Sequence, residues 1–278
     1  MAKIIIGIHG RSNKPEETTL AEGWKRAILE GLTKNGLTEP GFDLDFKLAY
    51  YRHIFYRAQL PNEDYTYEEA TKLQRYKPNL WQRAREKARD IADDNADWLY
   101  KTLGLISGTA NLVYSELFED LGKYLNDQNI RRNTQNTLVS LLQQHRNDEI
   151  MLIAHSMGAI VAYDVLRELG RLPINDPIPV QRFVTIGSPL GLPPVEGENL
   201  KNHGRLRTPS LVVRSWTNFS DPGDFVCFDT RLADDYDPNS SDVKVRDILV
   251  ANDYPGNPHK SYGYLRTPEM SEYIDTFL

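Results

Sequence analysis

Apolar residues fall along this chain in two alternating rhythms. Residues 3–8, KIIIGI, form a short unbroken apolar run of the kind that builds a strand covered on both faces. Residues 18–35 then place Leu20, Trp24, Ala27, Ile28 and Leu32 at helical spacing, with Gly36 standing where a helix would stop. Further strands are predicted at 43–51, 149–154, 182–187, 210–216 and 243–250, and the terminal MSEYIDTFL predicts a closing helix. Neighbouring parallel strands need crossover connections, and helical segments between strands supply them. The pattern therefore predicts an α/β fold with a mostly parallel sheet.

Residues 53–126 break the alternation. They are rich in tyrosine and charge, and Leu80, Trp81, Ala84, Ala88, Ile91, Trp98 and Leu99 recur at near-helical intervals. A structureless loop of that length inside a compact domain is improbable. The segment is expected to be a helical cap inserted over the sheet's edge, leaving 1–52 and 127–278 as the core. Its polar run QRAREKARDIADDNAD does not resemble an apolar membrane-seeking surface.

The 278 residues suffice for one large core, and 40% hydrophobic with 26% charged residues is ordinary for a globular chain. A formal net charge of −6 argues against nucleic acid or anionic lipid as a partner. Cys227 is the sole cysteine, which excludes an intramolecular disulfide and a multi-cysteine zinc site and points to a reducing compartment. The apolar run at the N-terminus is too short for a signal peptide, and no window has the apolar length of a membrane span. A cytoplasmic protein without stable membrane association is expected; oligomeric state does not follow.

The segment EIMLIAHSMGAIVAYDVLRELG, 149–170, carries the chemistry. A strand-like run breaks at Ser156 and restarts as a helix through Ile160, Val161, Val165, Leu166 and Leu169 to Gly170. So abrupt a turn strains the backbone at the serine and closes only if the residues two before and two after are small, as Ala154 and Gly158 are. The hydroxyl would then stand at a helix N-terminus, with the Met157 N–H pointing at whatever it attacks. A serine that merely caps the helix is the plainer alternative.

AHSMG resembles the G-x-S-x-G nucleophile elbow of the α/β-hydrolase superfamily, with alanine replacing the first glycine. FVTIGSPLGLP, the loop after Trp216 and HKSYGYLRTPE look like a bacterial group of that superfamily with poorly defined substrates. The resemblance covers the core and not the insertion. It implies a three-layer fold and a chain order of serine, acid, histidine. His9, His53 and His145 precede Ser156, and His155 adjoins it and is expected to point elsewhere. His203 lies before the strand whose loop should bear the acid, leaving His259 as the base. Asp221 and Asp224 both follow that strand. Asp224, ahead of Phe225 and Val226, looks more like the family position, and Asp221, ahead of a proline, suits a turn. Asp229 and Asp247 are more distant. The resemblance also implies an oxyanion hole from the N–H groups of Met157 and of Arg11 in IHGR. Because that strand opens the chain, the superfamily's first two antiparallel strands are expected to be absent.

The implied reaction is hydrolysis of an acyl ester through an acyl-enzyme, needing no metal or organic cofactor. A binding protein that kept the fold and lost turnover, and a lipase with the insertion as lid, are the alternatives. Acyl and alcohol specificity do not follow from the sequence.

Overall fold

In the computed structural model, the residues described are all of 1–278 except 40, 59, 63–66, 79–118, 173–177 and 228. The apolar runs become six strands: β1 (Lys3–Ile8), β2 (Phe46–Ala49), β3 (Glu149–His155), β4 (Val180–Ile186), β5 (Val212–Ser220) and β6 (Val245–Leu249). They pair in the order β2-β1-β3-β4-β5-β6, every pair parallel. No antiparallel strand occurs among the described residues. Ile8 pairs with Ala154 and His155 with Ile186, so the carboxyl ends of the three central strands finish level. The loops that leave these three ends therefore emerge on one rim.

Unbroken apolar runs are explained by cover on both faces. One face, with Ile4, Ile6, Ile8, Ile150, Leu152 and Ala154, packs against α3 (Gln128–Gln144), α4 (Met157–Leu169) and α5 (Pro193–His203). The other, with Ile5, Met151, Ile153, Val184 and Ile186, packs against α1 (Glu17–Lys34), α6 (Ser261–Leu265) and α7 (Pro268–Asp275). The result is a three-layer α/β fold. Trp24 and Trp216, one on each side, are fully buried, each worth roughly 2–3 kcal/mol by the area it hides from water.

Several boundaries differ from expectation. The edge strand β2 is four residues long because Asp43 and Asp45 hold its predicted start in solvent, while Tyr50 and Tyr51 turn off toward the short helix α2 (Arg52–Phe55). Gly36, with φ of 69°, does follow the end of α1. Helix α3 was hidden because it buries only Thr134, Leu138 and Leu142. Its start was nevertheless written in Asp127, whose carboxylate accepts the N–H groups of Asn129 and Ile130. Helix α5, PPVEGENLKNH, has too few apolar positions to show a period.

The seven apolar positions from Leu80 to Leu99 lie outside the described residues. Of the insertion's described parts, 67–78 run along α1, α6 and α7: Tyr67 bonds Glu30, Arg266 donates to the Glu68 carbonyl and Arg75 pairs with Glu272. Residues 119–126 are helical and lie on the opposite face, where Tyr124 donates to Asp164. Among the described residues no helix is long and apolar enough to cross a membrane.

Candidate active site

Only Ser156 separates the end of β3 from the start of α4. Its φ of 55° and ψ of −131° are a conformation that side chains rarely adopt, costing on the order of 1–3 kcal/mol that the surroundings must supply. The Ser156 N–H is held by the Ile186 carbonyl at 3.2 Å, and its own carbonyl accepts from Ala159 at 2.8 Å. Position 158 favours glycine: a Cβ there would lie 2.5 Å from the His9 carbonyl oxygen and 2.6 Å from that of Ile8, so the backbone would have to shift.

Two loops on the same rim supply the partners. After β6, Asn252 donates to the carbonyls of Pro258 and Lys260, at 2.8 and 2.9 Å, and so clamps the loop around His259. The His259 Nε2 lies 2.9 Å from Ser156 Oγ, and its Nδ1 lies 2.8 Å from Asp224 Oδ2. After β5, the buried Asp224 carboxylate also accepts the Tyr264 hydroxyl at 2.7 Å and the Val226 N–H at 2.9 Å. These donors replace the hydration the carboxylate lost. Asp221 is used otherwise: its carboxylate accepts from Gly223 and Asn252, and its carbonyl from the Asp224 N–H, so it builds the turn. Asp247 is taken by Asn218, Leu232 and Ala233, and Asp229 accepts the N–H of Arg231.

A family model described as "Alpha/beta hydrolase of unknown function (DUF900)" matches residues 119–188. That span includes β3, Ser156, α4 and β4, the parts that build the elbow. Over those residues the chain is similar to an α/β-hydrolase family, and its all-parallel sheet between two helical layers agrees with that fold. No curated protein matches it. The family description supports a hydrolase and leaves the bond cleaved open.

Within this site one expectation fails. His155 does not leave the site: its ring centroid is 4.7 Å from that of His259, and its Nε2–H donates to the His259 carbonyl at 2.8 Å. Burial, with the neighbouring His259 second, holds its pKa well below the ordinary imidazole value, so it donates as a neutral ring. Alternation along β3 would send its side chain to one face. At the strand's last residue that face is already the rim, which is why the inference from spacing misled.

Sequence reasoning also missed Gly187 and Tyr264. Gly187 ends β4 with φ of 53°, and a Cβ on it would meet Asp224 Oδ2 at 2.9 Å and His259 Nδ1 at 3.2 Å. A glycine directly after a central strand, level with Ser156, was the available signal. His203 lies elsewhere, donating to Asp164 at 2.7 Å on the far side of α4, and His145 pairs with Asp148.

The loop after β1 closes over the serine. A Cβ on Gly10 would sit 2.6 Å from Ser156 Cβ and 3.2 Å from its Oγ, so only glycine admits this approach. His9 fixes the loop. Its Nε2 accepts the Tyr51 N–H at 3.1 Å, leaving Nδ1–H to donate to the Gly10 carbonyl at 2.7 Å, and its ring stacks on Tyr51 at 4.1 Å. Burial, aided by Lys14, lowers its pKa to about 3. Ser12 follows in the left-handed region, φ 72°, with its N–H on Asp120. Met157 opens α4, where the first N–H groups have no partner within the helix.

A cavity of about 160 Å³ lies among these loops, and its lining includes Leu20 and Trp24 as well as Arg11, Lys14 and Lys260. Burial and the Arg11 charge pull Lys14 down to about 8. Ser156 is itself fully buried and lines this cavity.

Proposed function

We propose that this α/β hydrolase is a serine hydrolase that cleaves an acyl ester through a Ser156-His259-Asp224 triad and a covalent acyl-enzyme. The observation that carries the reading is the continuous hydrogen-bonded relay from Ser156 Oγ through His259 to Asp224, at 2.9 and 2.8 Å, ending on a serine in a strained conformation. His259 takes the serine proton as Oγ attacks the carbonyl carbon, and Asp224 orients the ring and balances the imidazolium that forms. The N–H groups of Met157 and Arg11 hold the oxyanion. His259 then gives the proton to the departing alcohol, and water repeats the sequence to release the acid. This chemistry draws on no metal or cofactor. The lone, buried Cys227 fits a cytoplasmic setting.

The small cavity favours a short acyl group, and residues 53–126 are proposed as the cap that shapes its mouth. Stopped-flow hydrolysis of a p-nitrophenyl ester series, with and without micelles, tests the reading. It predicts a burst of one p-nitrophenolate per active chain, the highest turnover on short soluble esters, and no rise at the micellar threshold. The kcat should fall at least about a thousandfold in Ser156→Ala and in His259→Ala. Activation by micelles would select the lid-bearing lipase. The complete burial of Ser156 is the one observation favouring an inactive binding protein, and wild-type ester hydrolysis no faster than the uncatalysed rate would select it.

A further inference from the structure

The amino edge of the sheet, opposite Ser156, carries a second cavity, of about 390 Å³, within the size range of small-ligand sites. It lies where α4 and α5 end and where the chain enters β5 and β6. Arg167, Arg171, Arg205 and Arg207 all line it, together with His203 and Thr208.

The guanidinium groups of Arg167 and Arg171 are bonded to neutral oxygens. Arg167 donates to the Tyr163 hydroxyl and to the carbonyls of Arg207 and His203, and Arg171 to the carbonyls of Asn202 and His203. Among the described residues none of the four arginines has a carboxylate partner. The nearby Asp164 is already committed, to His203 on one oxygen and to Tyr124 and Arg131 on the other. Burial and then the charges of Arg171 and Arg207, partly offset by Tyr163, depress the pKa of Arg167, as expected where like charges crowd.

Capping of α5 accounts for the bonds to Asn202 and His203. It does not account for three polar atoms on the cavity's residues that are buried without any partner: Arg207 Nε, Thr208 Oγ1 and His203 Nδ1. Thr208 is fully buried and His203 is 6% exposed. Two of these, Arg207 Nε–H and the Thr208 hydroxyl, are donors; a buried donor left unpaired costs about 1–3 kcal/mol, and an incoming acceptor would recover it. Forked guanidinium groups match phosphate oxygens in pairs, and this much positive charge exceeds what one carboxylate would neutralise.

We infer that this cavity binds a phosphate-bearing ligand, a phosphomonoester or diphosphate whose oxygens are held by Arg167, Arg171, Arg205 and Arg207 and by the Thr208 hydroxyl. The phosphate could belong to a soluble small molecule or to a lipid headgroup, and the site is independent of the ester chemistry proposed above.

Calorimetric titration of the full chain with pyrophosphate and adenosine 5′-monophosphate, and co-sedimentation with phosphatidylcholine vesicles with or without phosphatidic acid, test the inference. Saturable binding in the first arm assigns the phosphate to a soluble molecule; sedimentation only with phosphatidic acid assigns it to a headgroup. In either case binding weakens at least about tenfold in Arg207→Gln and in Arg171→Gln. It is unchanged in Arg214→Gln, an exposed cation outside the cavity. Arg171 and Arg205 are exposed, so Arg171→Gln and Arg205→Gln report on binding even if Arg207→Gln fails to fold. Absence of saturable binding in both arms, or affinity that survives the Arg171 and Arg205 substitutions, would overturn the proposal, as would an equal loss in Arg214→Gln.

Discussion

His155 and His9 show how much of the site's rigidity comes from uncharged imidazoles. His155 holds the His259 carbonyl, so it positions the proposed base without touching the reacting atoms. Removing its N–H in His155→Phe leaves that carbonyl unpaired and lets the His259 loop drift. The expected result is a kcat about tenfold to a hundredfold lower with KM nearly unchanged, partly rescued in His155→Gln. A KM rise with steady kcat would instead mean that the ring contacts substrate. His9 and His155 are both neutral in the fold with depressed pKa values, about 3 for His9. Below about 6.5 the unfolded chain binds the protons that these buried rings refuse. Stability should therefore be full above that pH and fall as pH drops, by about 1.4 kcal/mol per pH unit for each histidine, until the folded pKa is reached. Urea midpoints measured from pH 7 to pH 4 check this, and His9→Asn should show a shallower slope.

Among the elements, α4 and the strand ends do most to set the site. Gly158 lets the first turn of α4 pass against the backbone of β1, and Gly187 leaves room beneath the Asp224–His259 pair. Gly158→Ala should cost about 1–3 kcal/mol of stability and most of the activity, because the atoms it meets are main-chain carbonyls that cannot rotate away. Gly187→Ala should fold less stably and lose activity out of proportion, since its Cβ presses on the relay itself. Thermal melts set beside steady-state rates separate the two cases. The same elements mark what the sequence disclosed. KIIIGI and EIMLIA were legible because strands buried on both faces are apolar throughout, and the break at Ser156 was legible because a strand and a helix cannot otherwise meet in one residue. Helix α3 was not, because Thr134, Leu138 and Leu142 make too thin a stripe. The role of His155 was not, because it depends on a carbonyl 104 residues away.

At the scale of the whole molecule, parallel strands sort chemistry to the two ends of one sheet. Residues after β1, β3, β4, β5 and β6 meet at the carboxyl rim around Ser156, as open parallel sheets bring loops together there. Residues ahead of β5 and β6 meet at the other edge, around the arginines. Helix α4 joins the two, from Met157 beside the serine to Leu169 near the cationic cavity. The likeness to α/β hydrolases could be read from the motif around Ser156, whereas the arginine cavity could not, because Arg167 and Arg207 approach only through tertiary packing.

The central claim, that Ser156 is a nucleophile activated by His259, is tested most directly by labelling with a fluorophosphonate and mapping the modified peptide by mass spectrometry. The account predicts one phosphonyl group on Ser156 in the wild-type chain, none in Ser156→Ala, and severely slowed labelling in His259→Ala. Full labelling of Ser156→Ala, or a wild-type chain that stays unmodified while its ester turnover proceeds, would contradict it.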